Sequence, residues 1–329
     1  MIFFITFLRA LAACLITNAH YTGVYPSDII ANGGLLGDVI FFAVSGYCLY
    51  SAKGSFPKWY GKRLWRVYLP VVLMTAIYLL IGAYELSEGR GILWWLAYPT
   101  NYHFVASIIL LYIPFYAVMK ISWLRKSIPA VMTGIGLVFL FVYVFFYDKS
   151  YYHIDTVREP MIRFLFFESM LLGAYFRHRD KDLRNKRALP WAILSAGLFV
   201  LYFASKLIIS RRASLAEVQI INQIIIFALL YAIFRTFSAL DSRLEKLPSA
   251  IKRVITYIST ITLEIYLVQY VIIDLLRTVA PFPVNWLALT ASILAAASVL
   301  HFVCKGIYML VDMLIKLIIS RTKKEEKAQ

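Results

Sequence analysis

Cysteine is scarce in this 329-residue chain, and acidic residues are outnumbered. The three cysteines, Cys14, Cys48 and Cys304, lie in apolar segments without CxxC or Cys/His spacing. That pattern excludes a disulfide framework and a zinc site and leaves them as packing residues. His103, His153, His178 and His301 have no Ser/His/Asp or metal-ligand arrangement around them, so they read as structural and no metal is expected. Low-complexity tracts, internal repeats and any soluble domain are missing; the only hydrophilic extension is RTKKEEKAQ at the end. The first apolar segment has neither a basic leader nor a small-residue cleavage site after it, so it is expected to be a retained helix and not a removed signal peptide.

What fills the chain instead is hydrocarbon. Hydrophobic residues make up 61% and charged residues 16%, and the mean hydropathy is +0.72. The apolar blocks are long enough to cross a bilayer. Ten spans are predicted, near 2–20, 35–51, 67–84, 92–118, 128–147, 161–176, 189–207, 218–235, 256–276 and 286–317. The last is long enough to run past the bilayer or to bend. The expected fold is therefore an all-α, polytopic transmembrane bundle, one domain over 1–320 with a short charged tail over 321–329.

The net charge of +16 would suit nucleic acid, but its distribution points elsewhere. With the N-terminus inside, the inner loops hold 24 of the 34 basic residues and the outer loops seven, while Arg9, Arg163 and Lys305 fall within spans. An excess of Lys and Arg marks the cytoplasmic side, so both termini are expected there and no nucleic acid is implied.

Arg9 and His20 stand out in the first span, MIFFITFLRALAACLITNAHY, with ten residues between them. Eleven steps of about 100° make roughly three turns, which puts both on one helix face about 16 Å apart along the axis. Ionisable groups within a bilayer are costly unless they face protein or water, so the pair is a candidate site. A snorkelling arginine with an interfacial histidine is the plainer alternative. In the second span, Ala43, Ser45 and Gly46 would admit a close neighbour helix. The loop that follows carries Lys58, Lys62, Arg63 and Arg66, suited to lipid headgroups or to a phosphorylated ligand.

Taken in order, these motifs resemble the acyltransferase-3 family of integral membrane O-acyltransferases. The resemblance rests on the arginine, ten residues and histidine of the first span, FF-x-x-SG at Phe41 to Gly46, and K-R-x-x-R-x-Y-x-P at Lys62 to Pro70. RFLFFESMLLGAYF and STITLEIYLVQY match later family stretches, so that nearly the whole chain is covered. There are departures. GDVIFF shifts Asp38 by one position from the family aspartate, Gln269 replaces a frequent histidine, and Glu264 falls where Ser-Tyr is common, as a carboxylate expected to pair with a basic or hydroxyl group.

The resemblance implies transfer of an acyl group, typically acetyl, from cytoplasmic acyl-coenzyme A to a hydroxyl of a cell-surface or lipid-linked saccharide, at the cell membrane. His20 matches the family histidine and is the expected general base, suited by an ordinary pKa near 6.5. Arg9 matches the family arginine and is expected to hold the donor or stabilise charge at the thioester. Arg63 and Arg66 are candidates for the coenzyme phosphates. Arg163 is a further candidate binding residue, unless it pairs with Glu159. Acyl-coenzyme A enters as a donor substrate, so no permanently bound cofactor is expected. Two other readings remain open at this point: a ten-span transporter with Arg9, Asp38, Glu264 and Lys305 along its pathway, and a non-catalytic partner in glycan assembly or export.

Overall fold

The computed structural model describes residues 2–85, 91, 102–156 and 159–325. The described residues are helical, with no strand. In chain order the helices are α1 (Phe3–Ala19), α2 (Gly34–Leu49), α3 (Phe56–Leu80), α4 (His103–Lys120), α5 (Ser122–Lys126), α6 (Ile128–Phe145), α7 (Ile162–His178) and α8 (Asp180–Leu183). They continue with α9 (Leu189–Arg211), a 3₁₀ turn (Ala213–Val218), α10 (Ile220–Ala239), α11 (Asp241–Leu244), α12 (Ser249–Thr260), α13 (Thr262–Leu276) and α14 (Val284–Glu325). Six are long and apolar enough to cross a membrane, and the bent pair α12–α13 would make a seventh. At 17 and 16 residues, α1 and α2 are shorter than that test requires. The chain is thus a multi-pass membrane protein. Leu137, Phe141 and Phe145 on α6, Ile193 and Val200 on α9, and Val299 and Phe302 on α14 form the exposed apolar belt that lipid would cover.

Three of the expected spans differ from what the sequence pattern suggests. The third, 67–84, starts earlier, since α3 begins at Phe56, so that Lys58, Lys62, Arg63 and Arg66 lie on the helix and not in a loop. Residues 92–100 of the fourth lie outside the described residues, and the helix there is α4, starting at His103. The ninth, 256–276, is not one rod: α12 and α13 meet at Ile261 with a bend of 72°. The cause is local. Thr260 Oγ1 donates to the Thr256 carbonyl at 2.7 Å, and Thr262 Oγ1 donates to the carbonyls of Ile258 and Ser259 at 3.1 and 3.0 Å. Hydroxyls take over the carbonyls that a continuing helix would use, which releases the chain to turn. As expected, α14 is very long; at 42 residues it measures about 63 Å at 1.5 Å per residue.

With lipid outside, helices gain little from hiding apolar surface, and close association depends on small residues. The centre of this bundle follows that rule. A Cβ added at Gly46 of α2 would collide with the Met170 carbonyl of α7, and one at Gly173 of α7 with the Ala43 carbonyl of α2. Beside this crossing Phe42 and Phe166 stack with ring centroids 4.3 Å apart. Because Phe42 meets Phe166 and Tyr47 meets Arg177, α2 and α7 run parallel. By contrast α1 and α2 are antiparallel, with Gly34 against Ala19 and Gly37 against Ala12 and Ile16.

The start of α1 is held from far along the chain. Its Phe4 N–H donates to Asp241 Oδ1 at 2.8 Å, and Arg184 reaches Asp241 Oδ2 at 3.3 Å. A carboxylate at a helix N-terminus satisfies an otherwise unpaired donor and complements the helix dipole. At the other end Asn18 Nδ2 donates to the carbonyls of Ile30 and Asn32, and Asn285 Nδ2 donates to the Val24 carbonyl, which pins the connection to α2. The glycine contacts generate a prediction. Gly173→Ala overpacks the α2–α7 crossing and is expected to lower stability by about 1–3 kcal/mol in detergent melts. Gly134→Ala, where an added Cβ meets nothing within 4 Å, should leave the melt unchanged or raise it.

Candidate active site

Both ends of the candidate site are carried by α1. Arg9 is half-buried two turns into the helix, and its Nη2 donates to Cys48 Sγ of α2 at 3.4 Å. Arg9, Arg63 and Cys48 all lie within electrostatic reach of the buried Tyr112 of α4. Beside them is a cavity of about 300 Å³ lined by Lys62, Arg63, Arg66, Leu49, Val67 and Tyr112. Its basic residues come from one face of α3 at i, i+1 and i+4 spacing. Arg63 is held in place: its guanidinium lies 3.9 Å over the Trp59 ring, and Nη1 donates to the Trp59 carbonyl at 2.7 Å. Its Nε is buried without a partner among the described residues. No ion pair to a carboxylate is formed by Arg9, Lys62, Arg63 or Arg66 among the described residues. Three cations line this cavity, with Arg9 nearby and no carboxylate paired to any of the four among the described residues, and planar guanidinium donors have the geometry to meet phosphate oxygens.

His20 caps the far end of α1. Its ring is partly buried and meets the Tyr270 ring of α13 edge-on, with centroids 4.8 Å apart and Nε2 3.5 Å from the Tyr270 hydroxyl. Tyr270 packs against Tyr266, which in turn contacts Tyr102 and Phe104. Asp38 of α2 is 6% exposed and has no hydrogen-bond partner among the described residues. It lies within electrostatic reach of Tyr266, Tyr270 and Tyr202. The imidazole therefore sits against protein, at the rim of a tyrosine cluster with a buried carboxyl behind it.

Between the two ends, Ala13, Ile16 and Thr17 continue the Arg9–His20 face of α1. They line a small hollow of about 10 Å³ with Phe41, Phe104, Thr262, Leu263, Ile265 and Tyr266, room for about one water. Thr17 Oγ1 is buried there without a partner. The hollow also shows that α13 runs parallel to α1, since Ala13 shares it with Thr262 while His20 meets Tyr270.

The structure brings Arg9, Arg63 and Arg66 together and keeps His20 at the other end of α1. Arg163 is elsewhere. It lies in the first turn of α7, and because α7 is parallel to α2 and α2 antiparallel to α1, that turn is at the His20 end of the bundle. Its Nε is buried and unpartnered, and the alternative ion pair with Glu159 is not formed among the described residues. Glu264 finds the basic partner its position called for: Oε1 is 2.8 Å from His301 Nδ1 of α14. His153 is locked in an outer loop between Tyr147 and Tyr151, and His178 meets the Tyr50 hydroxyl at 2.7 Å. Tyr270 and Tyr266 were not singled out by the sequence pattern, although QY and EIY place them one turn apart on a single helix face.

The fold is that of a helical, multi-pass membrane protein with basic residues at one end of its first helix and an imidazole at the other. A model of the acyltransferase domain matches residues 2–307, and the chain belongs to the acyltransferase-3 family of membrane O-acyltransferases. Comparison with curated proteins found no match, and neither did comparison with solved structures.

The polar contact to the His20 ring suggests a conservative test. Tyr270→Phe keeps the ring packing and removes the hydroxyl; it is expected to lower acyl transfer about tenfold, the scale of one buried hydrogen bond, with an unchanged melting temperature. Equal activity in the two proteins would take Tyr270 out of the site.

Proposed function

We propose that this protein moves an acyl group, acetyl in the first instance, from cytoplasmic acyl-coenzyme A to a hydroxyl of a lipid-linked or cell-surface saccharide, with His20 as general base. The observation that carries the reading is the single face of α1. Arg9 borders a cavity lined by Lys62, Arg63 and Arg66, the hollow at Ala13 and Thr17 follows, and His20 ends the face beside Tyr270.

In this reading the coenzyme phosphates rest on Arg63 and Arg66 and the pantetheine arm runs along α1. Arg9 lies on that route and steadies the donor. Arg163, in the first turn of α7, stands at the His20 end, on the acceptor side. The imidazole of His20 takes the proton of the acceptor hydroxyl as its oxygen attacks the thioester carbonyl. The tetrahedral intermediate collapses with cleavage of the carbon–sulfur bond, and the imidazolium returns its proton to the departing thiolate. The products are an ester and free coenzyme A. Tyr270 orients the ring.

The directions of the packed helices support ten crossings. With α3, α4 and α6 between them, α2 and α7 run parallel, as an odd number of crossings demands. Met161 and Phe164 cluster with Ile220 while Phe176 meets Phe234, so α7 and α10 are parallel too, with α9 between. Counting α12–α13 as one crossing, the alternation returns both termini to the same side. The basic inner loops make that side cytoplasmic.

Two variants test the chemistry. His20→Ala is expected to reduce acyl transfer at least a hundredfold, within the range general bases contribute, while the purified protein melts as before. Normal transfer by that variant rules out the base. Arg9→Ala is expected to raise the KM for acyl-coenzyme A about tenfold or more; unchanged kinetics at limiting donor would remove Arg9 from the site. The acceptor is identified by mass spectrometry of surface glycans made with and without the protein, read as an acyl mass difference. A transporter would give neither the mass difference on its own nor coenzyme A release in detergent.

A further inference from the structure

Away from the α1 face, α6, α7 and α10 enclose a second cavity of about 600 Å³. At one end α6 is tied to the 3₁₀ turn just before α10 by the Tyr143 hydroxyl, which donates to the Glu217 carbonyl at 2.6 Å; beyond that tie α6 and α10 border the cavity, with α7 as the floor. From Phe164 to Tyr175 the floor is eleven residues long, about 16 Å, or roughly half of a 30 Å hydrocarbon core. The volume falls in the range of about 300–1,000 Å³ that accepts one small organic ligand.

The lining is mostly apolar, with Thr133, Tyr175 and Tyr231 adding hydroxyls, and two of its side chains carry buried acceptors that do not fit a simple packing gap. Gln223 of α10 is 2% exposed; its Nε2 donates to the Ile154 carbonyl at 3.3 Å, and its Oε1 has no partner among the described residues. Glu168 of α7 also has a buried Oε1 with no partner. A buried, unsatisfied acceptor in a hydrocarbon setting costs roughly 1–3 kcal/mol, and two of them border this cavity. The neighbouring face of α6, with Leu137, Leu140 and Phe141 exposed, is surrounded by lipid in a membrane, so the approach is through hydrocarbon and not through water.

We infer that this cavity binds a membrane-dissolved aliphatic alcohol, its chain along the apolar walls and its hydroxyl donating to Glu168 or Gln223. A molecule that arrives through lipid must be mostly apolar, and two acceptors without donors require a donor. A neutral hydroxyl supplies it without carrying charge into hydrocarbon, whereas an ammonium would not.

The test uses the purified full chain in lipid nanodiscs with two photoreactive probes of equal length, a diazirine-bearing dodecanol and the matching diazirine-bearing dodecane. The alcohol is expected to label peptides covering 129–140, 164–175 and 220–231 at least fivefold more than the alkane. Glu168→Leu with Gln223→Leu should abolish that preference. Gly136→Trp should block both probes, since a Cβ added at Gly136 meets nothing within 4 Å and the new side chain enters the cavity. If the double variant does not fold, the Gly136→Trp protein decides, with its melting temperature as the control. Equal labelling by the two probes would mean ordinary boundary lipid and overturn the inference, as would alcohol labelling that survives Gly136→Trp.

Discussion

The buried Asp241 carboxylate sets the position of everything chemical in this bundle, because it fixes the first turn of α1 and α1 carries both ends of the site. Its Oδ1 takes the Phe4 N–H, and Arg184 neutralises the charge that burial would otherwise make costly. With its start anchored, α1 can neither slide nor rotate freely. Arg9 is thereby held beside Cys48 and the basic face of α3, and His20 is delivered to Tyr270 eleven residues later. The contact with α2 through Gly34 and Gly37 removes the remaining freedom by bringing the two backbones close.

The same bilayer constraint explains how polar groups are distributed. Charges that serve structure are paired: Glu264 with His301 near the α12–α13 bend, Lys206 with Asp155 in the outer layer, Arg184 with Asp180 and Asp241. Buried polar atoms without a hydrogen-bond partner among the described residues include Arg63 Nε at the cation cavity, Thr17 Oγ1 in the small hollow, and Glu168 and Gln223 Oε1 at the α6–α7–α10 cavity, alongside others such as Gln269, Ser107 and Thr75 inside the bundle. In a membrane interior unpaired groups are the expensive ones, and those that border a cavity are open to a ligand that supplies the missing partner.

Much of this was legible in the sequence, and the reasons for the rest are physical. The Arg9–His20 face follows from helical periodicity alone, because α1 runs unbroken from Phe3 to Ala19 with His20 as its cap. The Lys62, Arg63 and Arg66 cluster likewise sits on one face of one helix. What periodicity cannot supply is the meeting of distant segments: Tyr270 lies 250 residues from His20, and Asp241 lies 237 from Phe4. Asp38 stood one position from the family pattern, yet it is buried within reach of Tyr266 and Tyr270, a relation only the packing of α2 against α13 creates. The bend at Ile261 escaped because hydropathy is blind to direction: residues 260 to 262 lie within a largely apolar run while the hydroxyls of Thr260 and Thr262 bond back to carbonyls where the chain turns. For Arg163, helix position was clear, but which end of the bundle that helix start occupies depended on α2 and α7 running parallel.

The central claim is that one face of α1 joins a nucleotide-binding end to a reacting end. A cryo-electron microscopy structure of the protein with a non-hydrolysable thioether analogue of acetyl-coenzyme A tests it most directly. The account predicts phosphate density against Arg63 and Arg66 and the acyl carbonyl within about 4 Å of the His20 ring or its hydrogen-bonding reach. Density for the analogue on any other face, with the Arg9–His20 stripe uncontacted, would contradict it.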